Sequence, residues 1–243
     1  MAKKSKSRLT ANMKNITEVT SVISHQLKTP LAGIKSALEV LLSGDLGSLN
    51  KDQQEYVTLA LSSAAKMIGL VKNLLDASRI DEKRMQLTLT KADFGKIVER
   101  VIGDLESFAR AKNSQIITRI ESNLPVLSID ETKIQEVVNN LVFNAIRYTR
   151  GKGSIVVAVS KKGGNLLFSC ADNGIGMTPS EQKNIFKKFY RSPRVVELAT
   201  EGSGLGLFIS RAIIRQSGGK VWFESKQNQG TTFYFTLPIK PIQ

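Results

Sequence analysis

Residues 16–50 read ITEVTSVISHQLKTPLAGIKSALEVLLSGDLGSLN. Apolar side chains at Ile16, Val19, Ile23, Leu27, Leu31, Ile34, Leu38 and Leu41 fall three or four positions apart, the period of an α-helix. Pro30 lies inside this pattern and predicts a bend, because it removes one backbone donor. The run stops at Ser43-Gly44-Asp45-Leu46-Gly47-Ser48, a turn-forming cluster. A second stripe follows at Val57, Leu61, Ala64, Ile68, Val71 and Leu75, with Asn50 or Asp52 as its N-cap. Two long helices on a short loop make an antiparallel hairpin. A lone pair buries only one seam, so two copies are expected to associate into a four-helix bundle.

After Arg79-Ile80-Asp81-Glu82-Lys83 the pattern changes, which sets the expected domains at 1–82 and 83–243. Met85–Leu89 alternates as a strand, Asp93–Lys112 reads as a helix capped by Asp93, and Gln115–Ile120 reads as a strand. A helix is expected over Asp130–Tyr148. Ser154–Ser160 and Leu166–Ala171 flank Lys162-Gly163-Gly164-Asn165, a hairpin signal. Residues 173–203 show little long periodicity. Leu205–Ser217 is helical again up to the stop at Gly218-Gly219, and Val221–Glu224 with Thr231–Leu237 makes a closing hairpin. The expected class is α+β: the helical hairpin, then an α/β sandwich with helices on one sheet face.

Composition narrows the chemistry. The 243 residues carry 35 Lys+Arg against 21 Asp+Glu, a net charge of +14, of which +11 lies in 83–243. A basic second half suits a phosphate-bearing ligand, an anionic membrane surface or nucleic acid, or is simply a solvated surface. Nucleic acid gains no further support, since aromatics are 6% of the chain and no DNA- or RNA-binding signature occurs. One cysteine, Cys170, excludes an internal disulfide framework, and one histidine, His25, excludes a His-rich metal centre. No apolar run approaches the ~18 residues of a membrane-spanning helix, so no membrane segment and a cytoplasmic location are expected.

His25 is two residues from both Ile23 and Leu27, which turns it about 200° off the apolar stripe and toward solvent. Thr29, four residues on, shares its face, and Pro30 loosens the local backbone bonding. A neutral exposed imidazole is a competent nucleophile near pH 7.

These residues resemble a family. Ser24-His25-Gln26-Leu27-Lys28-Thr29-Pro30-Leu31 is similar to the phosphoacceptor box of bacterial sensor histidine kinases, and four further boxes follow in the family's order. Asn140-Leu141-Val142-Phe143-Asn144-Ala145-Ile146-Arg147-Tyr148 resembles the N box: Asn140 and Asn144 share a helix face with Arg147 and Tyr148 adjoining, and amide oxygens suit Mg²⁺, with Asn144 as its ligand. Asp172-Asn173-Gly174-Ile175-Gly176 resembles the first glycine box, where a carboxylate at a strand end accepts from the adenine amino group and Gly174 and Gly176 let backbone approach the base. Ile185-Phe186-Lys187-Lys188-Phe189-Tyr190-Arg191 resembles the F box, whose Arg191 would reach toward the γ-phosphate. Gly202-Ser203-Gly204-Leu205-Gly206-Leu207 resembles the second glycine box, in which Gly202, Gly204, Leu205 and Gly206 open a helix whose N–H groups bind phosphate. Gly230-Thr231-Thr232-Phe233 fits the family's terminal hairpin.

The resemblance implies a Bergerat-type ATP-binding domain, of the kind shared with gyrases, heat-shock chaperones and mismatch-repair ATPases, joined to a dimerising hairpin. It further implies a homodimeric autokinase using ATP and Mg²⁺, with phosphotransfer from His25 to an aspartate of a response regulator receiver domain. Thr29 would orient water for dephosphorylating that regulator. A sensor region preceding residue 1 could anchor a parent protein to a membrane. The sharpest departure is Gln26, where the family usually has Glu or Asp: an amide accepts a hydrogen bond but is no base near pH 7. It favours the alternative of a degenerate kinase that docks a receiver as a dimeric scaffold. A mechanical ATPase of the same fold would need no histidine.

Overall fold

The computed structural model describes residues 26–198 and 202–239. His25 and the first turns of the expected helix from Ile16 lie outside the described residues. The chain divides into two compact units, Met1–Met85 and Gln86–Gln243.

In the first unit, helix α1 runs through 26–43, with Pro30 inside the helical stretch. Gly44 and Gly47 both take positive φ, 84° and 107°, and the Gly47 N–H donates to the Gly44 carbonyl at 3.0 Å. Such a turn is open to glycine and strained for other residues. Asn50 then caps α2 (Lys51–Asp81). Its side chain accepts from the Gln53 N–H while Gln53 accepts from the Asn50 N–H, both at 2.9 Å, a reciprocal box that fixes the helix start. Leu31 and Ala64 are buried, yet Leu27, Ile34, Leu59, Met67 and Leu70 stay 44–63% exposed. A single hairpin thus leaves its apolar stripe incompletely covered.

The second unit is built on a five-stranded sheet: β2 (Ser114–Ile120), β4 (Gly153–Lys162), β5 (Asn165–Asp172), β7 (Gly230–Pro238) and β6 (Val221–Lys226), in that spatial order. β2 and β4 are parallel, because a helix crosses between them; the other pairs are antiparallel. The β4–β5 turn places Gly163 and Gly164 at φ 55° and 76°, as a tight two-residue hairpin requires. Alternation then decides which face is covered. Ile155, Val157 and Val159, Leu166, Phe168 and Cys170, and Phe233, Phe235 and Leu237 are buried, with less buried residues between them. Over this face lie α3 (Phe94–Ala111), α4 (Glu131–Tyr148) and α7 (Gly206–Gln216). Asp93 and Asp130 cap α3 and α4 by accepting from the third backbone N–H beyond.

At the centre Phe94, Phe168 and Phe235 are fully buried and interlock: Phe168 stacks on Phe235 at 4.6 Å, and Phe94 meets both edge-on at 6.2 and 5.8 Å.

The strand expected at Met85–Leu89 is displaced. A short β1 forms at Thr90–Ala92 and pairs antiparallel with β3 (Leu127–Ile129), away from the main sheet. The Thr88 N–H donates to Asp130 Oδ2 at 2.9 Å, so a side chain takes the place of a strand partner there. Within 173–203 the structure adds α5 (Pro179–Gln182) and α6 (Pro193–Leu198), each under two turns and so without a periodic signal.

Phe168→Ala should destabilise the second unit by ~3–5 kcal/mol, since both aromatic partners lose a fully buried neighbour. Urea unfolding followed through the fluorescence of Trp222 checks this.

Candidate functional site

The site grows from the end of β5. Asp172 Oδ1 accepts from two backbone donors, Gly174 N–H at 2.8 Å and Thr231 N–H at 3.2 Å, and so ties the turn after β5 to the start of β7. No described residue donates to Oδ2, which remains free to accept from an amino group. The turn is packed against α4: Ile175 N–H donates to the Tyr148 carbonyl at 3.1 Å, and a Cβ on Gly174 would collide with that carbonyl. Gly176, at φ 54°, is pressed against the Lys226 and Gly230 carbonyls. Only glycine meets both demands at this position.

Burial pushes the Asp172 carboxyl up to about 6, against the opposing pull of the Gly174 and Thr231 N–H groups. Holding a charge there works against folding, as expected of a group placed for a ligand.

On α4, Asn140 and Asn144 lie one turn apart and touch, Asn144 Nδ2 donating to Asn140 Oδ1 at 3.4 Å. Asn140 Nδ2 in turn donates to Ser210 Oγ of α7 at 3.0 Å. Asn140 is therefore committed to joining α4 with α7. Asn144 Oδ1 accepts from no described residue and is the amide oxygen open to a cation. Among the described residues no cluster of three or more His, Cys, Asp or Glu exists, so a divalent ion would rest on this oxygen and on ligand phosphates.

α7 starts differently from α2, α3, α4 and α5. Those carry side-chain caps, whereas α7 has none, so no capping side chain covers its first N–H groups at the positive end of the helix dipole. Gly206 sits hard against Asn140 Oδ1, which admits no Cβ. Gly204 (φ 69°) packs on the Phe189 backbone, and a Cβ on Gly202 (φ 124°) would lie 3.0 Å from Arg147 Nη1. The Leu205 side chain is buried and its N–H donates to Ser203 Oγ at 3.2 Å, so Leu205 anchors the loop and offers the site no side-chain contact. Arg147 also lies over the Tyr148 ring at 5.7 Å.

The 185–191 box is fastened to α7 by two reciprocal cation–π contacts, Lys188 over Phe208 at 5.0 Å and Arg211 over Phe186 at 5.1 Å. Arg191 is half-buried on the segment leading to α6. The structure thus groups Asn140, Asn144, Arg147, Tyr148, Asp172, Gly174, Gly176, Gly202, Gly204 and Gly206 around α4. Gln26 and Thr29 are exposed on α1, in the other unit. His25 lies outside the described residues. Sequence reasoning missed Ser210 and the Thr231 N–H. Ser210 had a usable signal, one helical turn after Gly206 on the same face of α7.

Asp172→Asn keeps the acceptor for both N–H groups and removes the buried charge. The folded carboxyl binds its proton more tightly than the unfolded one, whose ordinary value is 3.8, so native stability falls as pH rises from about 4 to about 6. Asp172→Asn should therefore be the more stable protein above pH 6, with the difference fading toward pH 4; urea titrations across this range test it.

Comparison with known proteins shows what the two units are similar to. Residues 15–83 match the His Kinase A (phospho-acceptor) domain family, and residues 129–241 match the histidine kinase-, DNA gyrase B- and HSP90-like ATPase family. The adaptive-response sensory kinase SasA of Synechococcus sp. (strain JA-3-3Ab) is 31% identical over 223 residues, 91% of this chain and 59% of that protein. The sensor protein kinase WalK of Staphylococcus haemolyticus is 30% identical over 230 residues, 93% of this chain and 37% of the relative. The chain thus spans less than two thirds of the length of these relatives. The crystal structure of full-length ShkA in complex with AMPPNP superposes with a TM-score of 0.73 at 28% identity, covering 91% of this chain and 45% of ShkA.

Proposed function

We propose, from the premise that the chain belongs with the sensor histidine kinases, that it acts as an ATP- and Mg²⁺-dependent autokinase with His25 as acceptor. The observation that carries the reading is the grouping along α4 of three open functions: the Asp172 carboxylate oxygen, the Asn144 amide oxygen and the uncapped start of α7. They suit, in turn, an adenine amino group, a hard cation and phosphate oxygens. Asp172 Oδ2 receives the amino group, while Oδ1 keeps the turn in shape. The N–H groups at Gly206 and Leu207 receive phosphate oxygens, with Arg147 beside the Gly202 loop. Asn144 Oδ1 would hold Mg²⁺, which when bound would neutralise phosphate charge.

In the reaction a lone pair of the His25 imidazole attacks the γ-phosphorus. The P–N bond forms, the bond to the ADP oxygen breaks and the imidazole loses a proton. The phosphoryl group then passes to an aspartate carboxylate of a response regulator receiver domain. Little covalent chemistry falls to the protein, so positioning and charge neutralisation carry the rate. The exposed Leu27, Ile34, Leu59, Met67 and Leu70 support a homodimer in which a second hairpin covers them. Thr29, exposed one turn beyond His25, would orient water when the regulator is dephosphorylated. Among the described residues no helix is long and apolar enough to cross a membrane. We assign the two units to the cytoplasm.

His25→Gln should abolish labelling from γ-labelled ATP while ATP binding, measured by calorimetry, persists. The lost label should be acid-labile and base-stable, as a P–N bond requires; acid-stable label surviving the substitution would refute the assignment.

An amide at position 26 would accept a hydrogen bond from an imidazole but takes no proton. General-base assistance is worth ~10²–10⁴-fold, and here its lack should lie at or below the lower end because water can remove the proton. Gln26→Glu should therefore phosphorylate faster in rapid-quench measurements at saturating ATP. Equal or slower labelling would show that proton removal does not limit the step.

A further inference from the structure

Past the 185–191 box, the chain sends one side chain back to the first glycine turn. Arg194 Nη2 donates to the Gly176 carbonyl at 2.7 Å and to Glu181 Oε2 at 3.0 Å. Glu181 is itself buried and accepts from the Thr178 N–H at 2.7 Å as part of the box that caps α5. Burial pushes its carboxyl up, yet the Thr178 N–H, the Ser192 and Thr178 hydroxyls and the Arg194 guanidinium together hold it below its ordinary value, so the counter-charge is ionised.

We infer that Arg194 is a positioning residue for nucleotide binding: held by Glu181, its guanidinium fixes the peptide plane after Gly176 and with it the Asp172–Gly176 turn. The inference rests on the reading of that turn as the adenine site. The peptide between Gly176 and Met177 is held at both ends by side chains, its oxygen by Arg194 and its N–H by Ser225 Oγ at 2.9 Å. The close packing of Gly176 on the Lys226 and Gly230 carbonyls fixes the place of its Cα but not the rotation of the following peptide, and glycine resists that rotation least of all residues. A donor on the carbonyl adds a second constraint on that rotation, beside Ser225 on the N–H.

The guanidinium is placed for this task rather than for its own satisfaction. Among the described residues, Arg194 Nε is buried with no hydrogen-bond partner, a group that native structures seldom leave unpaired without a reason. Both bonds leave one nitrogen, Nη2, so a lysine ammonium can make part of them, while the planar guanidinium fixes their directions. The binding turn and the segment that follows the phosphate-directed Arg191 are thereby one mechanical piece, joined at residue 194.

The test uses the full chain carrying Arg194→Met, Arg194→Lys or Glu181→Gln. If loss of the latch leaves the turn competent about a tenth of the time, the apparent Kd for ATP rises about tenfold in Arg194→Met. The single-turnover labelling rate at saturating ATP should change far less, a split between binding and chemistry that general destabilisation would not produce. Arg194→Lys should recover part of the affinity, and Glu181→Gln should weaken binding in the same direction, which keeps the question answerable should Arg194→Met fold poorly. In the nucleotide-free protein, hydrogen exchange at the Met177 amide should accelerate in Arg194→Met. A folded Arg194→Met with Kd within twofold of the parent, or with a lowered Tm alone, overturns the inference. Were the parent chain to bind no ATP, the adenine reading would fall, while unchanged Met177 exchange would separately dispose of the latch.

Discussion

One carboxylate oxygen, Asp172 Oδ1, connects the end of β5, the glycine turn and the start of β7 through two backbone hydrogen bonds. Much of the surrounding architecture follows from making those two bonds simultaneously. β5 and β7 must be neighbours, in the register that sets Asp172 opposite Thr231. Gly230 must lack a Cβ, since one would strike the Asp172 carbonyl, and Gly174 must lack one to lie against Tyr148. With Oδ1 so occupied, the carboxylate has one face for structure and one for ligand. Its raised pKa records how dry the place is in which this division is made.

The second organising element is α4. Its buried side, Ile134, Val137, Val138, Leu141 and Val142, packs on the sheet, and the amides at 140 and 144 leave that side for α7 and the site. Asn140 acts as a joint while Asn144 keeps its amide oxygen open, although the two share one chemistry and one helical face. What separates them is Ser210, which takes the donor of Asn140 and sets its orientation. The bare start of α7 is held in place by the same joint, because Gly206 rests on Asn140 Oδ1.

The elements legible in the sequence were those with a long period or distinct punctuation: the two helical stripes, the Asp-capped α3 and α4, and the Gly163-Gly164 and terminal hairpins. The strand at 85–89 was misplaced because alternation over five residues does not say whether a partner strand exists, and the Thr88 N–H goes to a side chain 42 residues away. α5 and α6 were illegible for want of turns. Within the site, glycines and polar residues at fixed spacing could be read as boxes, since their spacing is local. The Thr231 N–H and the Arg194–Glu181 pair could not, for their roles arise from contacts between elements distant in sequence or from loops without periodicity. Leu205 lies inside the glycine box with its side chain in the core, a burial that the spacing of the box does not reveal.

Cys170 sits two residues before Asp172 on β5, with its side chain turned into the core beneath α4. Burial, and then the negative charge of Asp172, push its thiol far above the ordinary value, so the native chain presents no thiolate to oxidants or alkylating reagents. It is also the sequence's single sulfhydryl. A thiol reagent can therefore mark the protein at one place only, and only when the sheet opens around β5. The rate at which it does so in the native state is a direct clock for the opening of the strand that carries the site's buried carboxylate.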